Sequence, residues 1–308
     1  MNYLFDLKIN IKMYNLKKTA LLAFTAITLF SCNNDDDNID DKKSEGTHVS
    51  AVVKFDHSLR LGELLTLKDK ENQDQSIKLT KLKYIISDVK VTATDGSEYE
   101  IPNNVGAQLV DLDHSDDNGI VKTYFTGIPN GSYKKITFTV GVSKEVAEGA
   151  AEAQERLMEL AEADMHWDWN PNSYIFSKIE GSNTNTASTT PTNLQIHIGD
   201  KGENFVGSRV VNLEFPENLT VATKISPSVH LKVFIEKIFN PNEPGQFVPF
   251  DGVAAHGGSD ENAINYADNF ANSIVIDHLH ANEEAINLED VEEHDHSEGD
   301  GHSHNHTH

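Results

Sequence analysis

The feature that most constrains the fold is a short-period alternation of apolar and polar residues, repeated from His48 to about Phe239. In the first such segment, apolar side chains and His57 occupy every second position, as on a strand with one buried face. Turn signals such as Asp95-Gly96 separate the segments. We therefore predict an all-β fold, an antiparallel β-sandwich of immunoglobulin-like or jelly-roll-like type.

Two segments depart from this pattern. Residues 144–163 are rich in alanine, glutamate and leucine, which favours an α-helix inserted between strands. Residues 267–282 indicate a short helix followed by a final strand that carries His278 and His280. We expect a sandwich with one helical insertion and disordered chain termini.

The N-terminal segment is typical of a bacterial lipoprotein leader. Two lysines precede an apolar run from Ala20 to Phe30, which is too short to be a membrane-spanning helix. Ser31 then precedes Cys32, the only cysteine of the chain, as in a lipobox. We expect residues 1–31 to be a signal peptide and Cys32 to be lipidated; the alternative is a buried free cysteine.

The polar run after the cysteine is typical of a tether. Residues 32–47 are mostly Asn, Asp and Lys and cannot bury enough apolar surface to fold, so we predict an acidic disordered segment. Its first residues resemble the surface-export signal of lipoproteins in Bacteroidetes-type bacteria. The predicted location is the outer membrane or cell surface, where the lipid anchors the protein to the membrane.

Charge and cysteine content exclude several functions. The formal net charge of −24 argues against nucleic-acid binding, which needs a basic surface. With one cysteine, the chain has no internal disulfide, no attached c-type haem, and, with that thiol lipidated, no blue-copper site. Any metal ligands are imidazole, carboxylate, carbonyl or thioether groups.

Four strand histidines are candidate metal ligands. His278 and His280 are two residues apart, so on a strand they share one face, which the pattern places in line with Ile274 and Ile276. The alternative is one exposed and one buried histidine with no metal. His57 lies on the apolar face of its strand and needs a hydrogen-bond partner or a metal. His197 faces away from its apolar neighbours, towards solvent, a second layer or a site.

Two further groups of histidines are interpreted differently. His230 lies opposite the apolar residues of its strand, and we interpret it as an exposed residue. Residues 283–308 form a disordered, acidic, histidine-rich tail by composition. Such a tail chelates Zn²⁺, Cu²⁺ or Ni²⁺ locally with little selectivity; the alternative is an inert solvating tail.

The only two tryptophans of the chain, Trp167 and Trp169, lie together in the run MHWDWN. Several segments around them, in chain order, resemble the MbnP-like family of copper-binding proteins. The resemblance covers roughly residues 48–282. The segments that carry it are residues 79–91, 127–142, 165–181, 194–199 and 276–282.

This resemblance implies an exported antiparallel β-sandwich that binds one copper ion through histidines. By position, the implied ligands are His57, His197, His278 and His280. In relatives of this family, a tryptophan near the copper is oxidised to kynurenine by a di-haem peroxidase-like partner, which makes Trp167 or Trp169 the implied cofactor residue. The alternative is that both tryptophans only fill the end of the sandwich.

The predicted function is that of a cell-surface lipoprotein that binds copper for acquisition or buffering. The alternative metal is zinc or another divalent ion. The alternative class of protein is a structural or interaction module that binds no metal. The sequence has no nucleophile elbow, catalytic triad signature or phosphate loop, so we do not predict an enzyme.

Overall fold

The computed structural model describes residues 48–68, 74–148, 151–162, 164–167, 170–185, 190–199, 207–239 and 261–291. Within these ranges, the strands are β1 (Val49–His57), β2 (Leu64–Lys68), β3 (Asp74–Ala93), β4 (Glu98–Glu100), β5 (Gln108–Asp111), β6 (Ile120–Thr126), β7 (Gly131–Val140), β8 (His166–Trp167), β9 (Asn170–Asn185), β10 (Thr192–Gly199), β11 (Arg209–Val221), β12 (Ser228–Val233) and β13 (Ile274–His280). The helices are α1 (Asn103–Gly106), α2 (Lys144–Ala147), α3 (Ala151–Glu162), α4 (Ile235–Phe239) and α5 (Glu261–Ser273).

The strands form two sheets. The larger sheet has the order β10-β9-β3-β7-β11, and β2, β4, β5 and β8 pair with β3 or β9 beside that path. The smaller sheet has the order β13-β12-β1-β6. Pairing in the described residues is antiparallel except between β1 and β12, which run parallel. The prediction of an all-β antiparallel sandwich is thus confirmed, with one parallel pair that the sequence pattern did not reveal.

Aromatic residues connect the two sheets across the core. The ring of Phe55, on β1, packs edge-on against Tyr84 of β3 at 5.8 Å and Phe138 of β7 at 6.2 Å between centroids. All three side chains are fully buried, and each such burial contributes about 1.5–3 kcal/mol to folding. The alternation seen in the first segment therefore turns the odd-numbered residues of β1 towards the larger sheet.

The predicted helical insertion occurs as two helices, α2 and α3. The side chain of Ser143 caps α2 by accepting a hydrogen bond from the backbone N–H of Val146. Leu157 and Leu160 of α3 are buried in a second apolar cluster, together with Met165 and Trp167. The predicted short helix and final strand near the C-terminus correspond to α5 and β13.

After β13 the chain continues along the smaller sheet rather than leaving it. Residues 283–287, here called the C-terminal strap, pair with the loop before β12 and with the start of β1. The backbone N–H of Ser226 donates to the carbonyl of Glu283 at 3.1 Å, and that of Val49 donates to the carbonyl of Ile286 at 3.0 Å. Ordered pairing thus extends beyond residue 282, where the composition had placed the start of the tail.

Several predictions fall outside the described residues. These are the signal peptide, Cys32, the tether, Trp169 and the histidines of the tail from His294 onward. In the part of the chain that the structure describes, no helix is both long enough and apolar enough to span a bilayer.

Candidate metal site

Three histidines meet on neighbouring strands of the smaller sheet. His230 of β12 pairs with His278 of β13, and Ser228 pairs with His280. One ring nitrogen from each of His230, His278 and His280 lies within 4.8 Å of the others. The rings of His230 and His278 are stacked at 4.1 Å, and the ring of His280 lies 4.8 Å from that of His230. We call these three residues the histidine triad.

A β-bulge in β13 determines which way the triad faces. Leu231 pairs with Ile276, but the residue before it on β12, His230, pairs with His278, which leaves Asp277 as an extra residue. Ile276 and Leu279 therefore both pack against the core, while His278 and His280 are exposed on the opposite face. The prediction that the two histidines share a face with Ile274 and Ile276 is wrong, because the extra residue shifts the alternation by one.

The spacing of the nitrogens suits a shared metal ion. The Nε2 atoms of His278 and His280 lie 3.0 Å apart. Two nitrogens bound to one ion at about 2.0–2.1 Å lie about 2.8–3.4 Å apart for angles between square and tetrahedral. The Nε2 atom of His230 is buried and has no hydrogen-bond partner among the described residues. A buried, unpaired nitrogen on a ring that lies beside two other imidazoles fits a site for copper or zinc.

Burial, helped by nearby positive charge, keeps the His230 ring in the neutral form that can bind a metal at neutral pH. Burial, with smaller effects from Lys54 and the two other triad rings, lowers the pKa of His230 to about 4. Its ring is therefore neutral, which is the form that coordinates metals. Lys54 occupies the position on β1 next to His230, and its Nζ atom lies 3.1 Å from Oε1 of Glu283 in the C-terminal strap. The strap thus supplies a carboxylate that offsets the lysine charge beside the triad.

His57 lies on the other face of the same sheet. It is three residues beyond Lys54 on β1, so its side chain points into the core, where it is 5% exposed. Its Nε2 atom is hydrogen-bonded to the hydroxyl of Tyr84 at 3.2 Å. Burial lowers the pKa of His57 to about 3. The structure places this predicted ligand in the core and does not bring it to the triad.

His197 lies in the larger sheet, on β10. Its Nε2–H donates to Oε1 of Glu180 at 2.8 Å, and its ring centroid lies 6.2 Å from that of Trp167. Trp167 is 6% exposed and belongs to the second apolar cluster. The structure therefore brings one predicted tryptophan to one predicted histidine, at a place separate from the triad.

The backbone at Gly199 makes room for this indole. A Cβ atom added to Gly199 would lie 2.3 Å from the carbonyl oxygen of Tyr174 and 3.1 Å from Nε1 of Trp167. Only glycine allows β10 to approach Trp167 and Tyr174 this closely. The glycine that ends the segment LQIHIG is thus required by packing around Trp167.

Of the four predicted ligands, the structure brings together His278 and His280, and it adds His230. His230 is half-buried, not exposed as its alternation suggested. Its outward position on β12 was visible in the sequence. Its partnership with β13 was not, because it depends on strand pairing across more than forty residues and on the bulge at Asp277.

The sequence profile of the MbnP family matches residues 49–249, which is more than half of the 308 residues. Among solved structures, MbnP from Methylosinus trichosporium is similar at 13% sequence identity with a TM-score of 0.36, covering 70% of this chain and 86% of that chain. No curated protein gives a significant match. His230 lies inside the matched range, and His278 and His280 lie beyond it.

Proposed function

The chain belongs to the MbnP family, and on this basis we propose that it is an exported lipoprotein that binds copper through the histidine triad. The observation that carries the proposal is the convergence of three imidazole nitrogens within 4.8 Å. A hydrogen bond joins the rings of His278 and His280, whereas Nε2 of His230 is buried and has no partner among the described residues. A shared cation gives all three nitrogens a partner.

The ligand chemistry favours copper over zinc by affinity and leaves zinc as the second candidate. Imidazole suits both ions, and the affinity order of divalent metals places Cu²⁺ above Zn²⁺. Three protein ligands leave one position open in a four-coordinate ion. His278 is half-exposed, so this open position is accessible to solvent and to an incoming ligand. Such a site suits binding and exchange, as expected for acquisition or buffering.

Membrane attachment completes the proposed role. Acylation of Cys32 would hold the protein to the outer membrane or cell surface, with residues 32–47 as the spacer. The histidines of the tail would raise the local concentration of metal near the domain. The acidic net charge supports this role because it attracts cations.

The oxidised-tryptophan part of the proposal concerns a different place on the molecule. Trp167 lies against His197 in the larger sheet, so an indole oxidised to kynurenine by a haem-containing partner would add a carbonyl and an amine beside His197. This is the second candidate location for copper. It requires a partner protein, because this chain has no attached haem.

Metal titration of single-site variants tests the two locations. The parent protein for these variants is the full mature chain in which the tail histidines, from His294 to His308, are replaced by serine. Chelation by the tail then does not contribute to the measured binding. We expect one Cu²⁺ per chain. The triple variant His230→Ala, His278→Ala, His280→Ala should lose it. The exposed His114→Ala should retain it as the matched control.

Two outcomes separate the alternatives. Loss of copper in His197→Ala, with binding retained in the triple variant, would move the site to the larger sheet. Absence of binding in the tail-substituted protein at micromolar copper would favour the structural or interaction module instead.

A further inference from the structure

We propose that Asp277 is a positioning residue that fixes the ring orientation and the tautomer of His278 for metal binding. This inference rests on the proposed function of the triad. Oδ2 of Asp277 lies 2.7 Å from Nδ1 of His278. An ionised carboxylate accepts hydrogen bonds and cannot donate them, so Nδ1 of His278 carries the proton and donates it to Asp277.

This assignment leaves Nε2 of His278 as the nitrogen with a free lone pair. That atom lies 3.0 Å from Nε2 of His280. In the metal-free protein, the Nε2–H of His280 is then the donor and Nε2 of His278 the acceptor. When an ion binds between them, His280 releases its Nε2 proton to solvent and takes up a proton from solvent at Nδ1, so its ring stays neutral and both Nε2 atoms become ligands.

The β-bulge is what makes this contact available. Side chains on a regular strand alternate between its two faces, so the residue before His278 would point into the core. The extra residue at position 277 instead leaves Asp277 exposed beside His278. Bulges commonly redirect a side chain in this way next to functional sites. The same residue therefore accounts for the exposed face of the histidines and for the carboxylate that holds one of them.

A positioning role and a purely structural role of Asp277 have different expected effects on stability and on metal affinity. The side chains of Asp277 and His278 are each about half-exposed. Exposed ion pairs of this kind contribute little to stability, so removing the carboxylate should barely change the melting temperature. A carboxylate that orients a metal-binding histidine commonly changes metal affinity about 10–100-fold. A large affinity change with little stability change is the expected signature.

Three variants of Asp277 separate the contributions that its charge, its hydrogen-bond acceptor and the backbone bulge make to metal binding. Asp277→Ala removes the acceptor and keeps the bulge. Asp277→Asn keeps an oxygen acceptor and removes the charge. Deletion of residue 277 removes both the carboxylate and the bulge. The pairing between β12 and β13 then becomes regular, while every other residue of β13 keeps its partner on β12. Asp117→Ala is the matched control, because Asp117 is exposed in the turn before β6, at the opposite edge of the same sheet.

The measurements are Cu²⁺ affinity by competition with a chelator, melting temperature, and pulsed EPR of the copper-bound protein. All use the full mature chain with the tail histidines replaced. We expect Asp277→Ala and the deletion to weaken copper binding about 10–100-fold, Asp277→Asn to recover part of the loss, and Asp117→Ala to match the parent. The EPR signal from the remote nitrogen of one imidazole should change in Asp277→Ala, because its Nδ1–H loses the carboxylate.

The outcomes distinguish this inference from the function on which it rests. A parent protein that binds no copper, or that binds it unchanged after removal of the triad, overturns both. A parent that binds copper through the triad, with affinity in Asp277→Ala within twofold of the parent, overturns only the role of Asp277. If Asp277→Ala both weakens copper binding and strongly lowers the melting temperature, Asp277 is a structural residue. This result would also overturn the inference.

Discussion

The Nε2 atom of His57 lies 3.2 Å from the hydroxyl oxygen of Tyr84, so a hydrogen bond joins the two sheets inside the core. Burial holds the His57 ring neutral and raises the pKa of the Tyr84 hydroxyl well above its usual value. A neutral pair is the form that this apolar surrounding tolerates, because an isolated buried charge is costly. The pair therefore connects the stability of the sandwich to pH.

The free energy of unfolding of the metal-free protein should fall as the pH is lowered. The pKa of His57 is about 3 in the folded protein, against 6.5 for an ordinary histidine. Between these values the unfolded chain binds one more proton, so stability is lost as the pH falls below about 6.5. The contribution of His57 to this loss is about 2 kcal/mol between pH 7.5 and pH 5. Urea unfolding at several pH values measures it.

The effect of His57 is isolated by comparing how steeply the free energy of unfolding changes with pH in the parent and in a variant. His57→Gln should show a shallower dependence of unfolding free energy on pH than the parent, whatever its absolute stability. His114→Gln, which changes an exposed histidine, should keep the parent slope. Equal slopes in His57→Gln and the parent would mean that this ring does not determine the acid response.

Lys54→Gln should strengthen metal binding at the triad. Lys54 adjoins His230 across the parallel pair of strands, and its charge repels a cation bound there. Removing it also frees Glu283 from the ion pair at 3.1 Å. We expect a gain in affinity of about threefold to tenfold at low salt. Lys90→Gln, which breaks a similar pair with Glu100 in the larger sheet, is the control and should leave the affinity unchanged.

Gly199→Ala should destabilise the region around Trp167. The added methyl group would lie 2.3 Å from the carbonyl of Tyr174, which forces β9 and β10 apart. Overpacking of this kind costs about 1–3 kcal/mol. Urea unfolding and tryptophan fluorescence measure the effect. Gly131→Ala is the control, since the nearest atoms to its Cβ would belong to Tyr133 at ordinary contact distance, and a similar loss of stability there would argue against this explanation.

Replacement of Cys32 by alanine should release the protein from the membrane fraction. The prediction follows from the basic residues, short apolar run and Ser31-Cys32 pair at the start of the chain. Fractionation of cells that express the parent and the variant, with detection of acyl chains by mass spectrometry, measures it. Unchanged membrane association of Cys32→Ala would show that something other than a lipid at this residue attaches the protein.

The sequence predicted those features that depend on local alternation. The inward position of His57 follows from its place among alternating apolar residues, and His197 does face away from its buried neighbours Ile196 and Ile198. The helices before Trp167 and before β13 were also predictable, because composition alone distinguishes them from strands. These features need no knowledge of which strands are neighbours.

The candidate site could be predicted only in part, because it depends on pairing between distant segments. His278 and His280 were recognised from their spacing, but the bulge at Asp277 reversed the face on which they lie. His230 was missed because the order of strands in the smaller sheet, and the parallel pairing of β1 with β12, are set by packing of the whole chain. The alternation of apolar and polar residues along a strand does not show where a bulge inserts one extra residue.

The bridge between His48 and Asn287 has a mechanical consequence. The chain enters the sandwich at β1, which lies inside the smaller sheet with β12 on one side and β6 on the other. Tension that reaches the domain through residue 48 therefore acts along the length of β1 and loads both ladders in shear, so that many hydrogen bonds resist together. The C-terminal strap fastens the point of entry and would be the first part to yield. If Cys32 is acylated as proposed, a pull on the domain through its N-terminus would meet many hydrogen bonds at once instead of opening the sheet one hydrogen bond at a time.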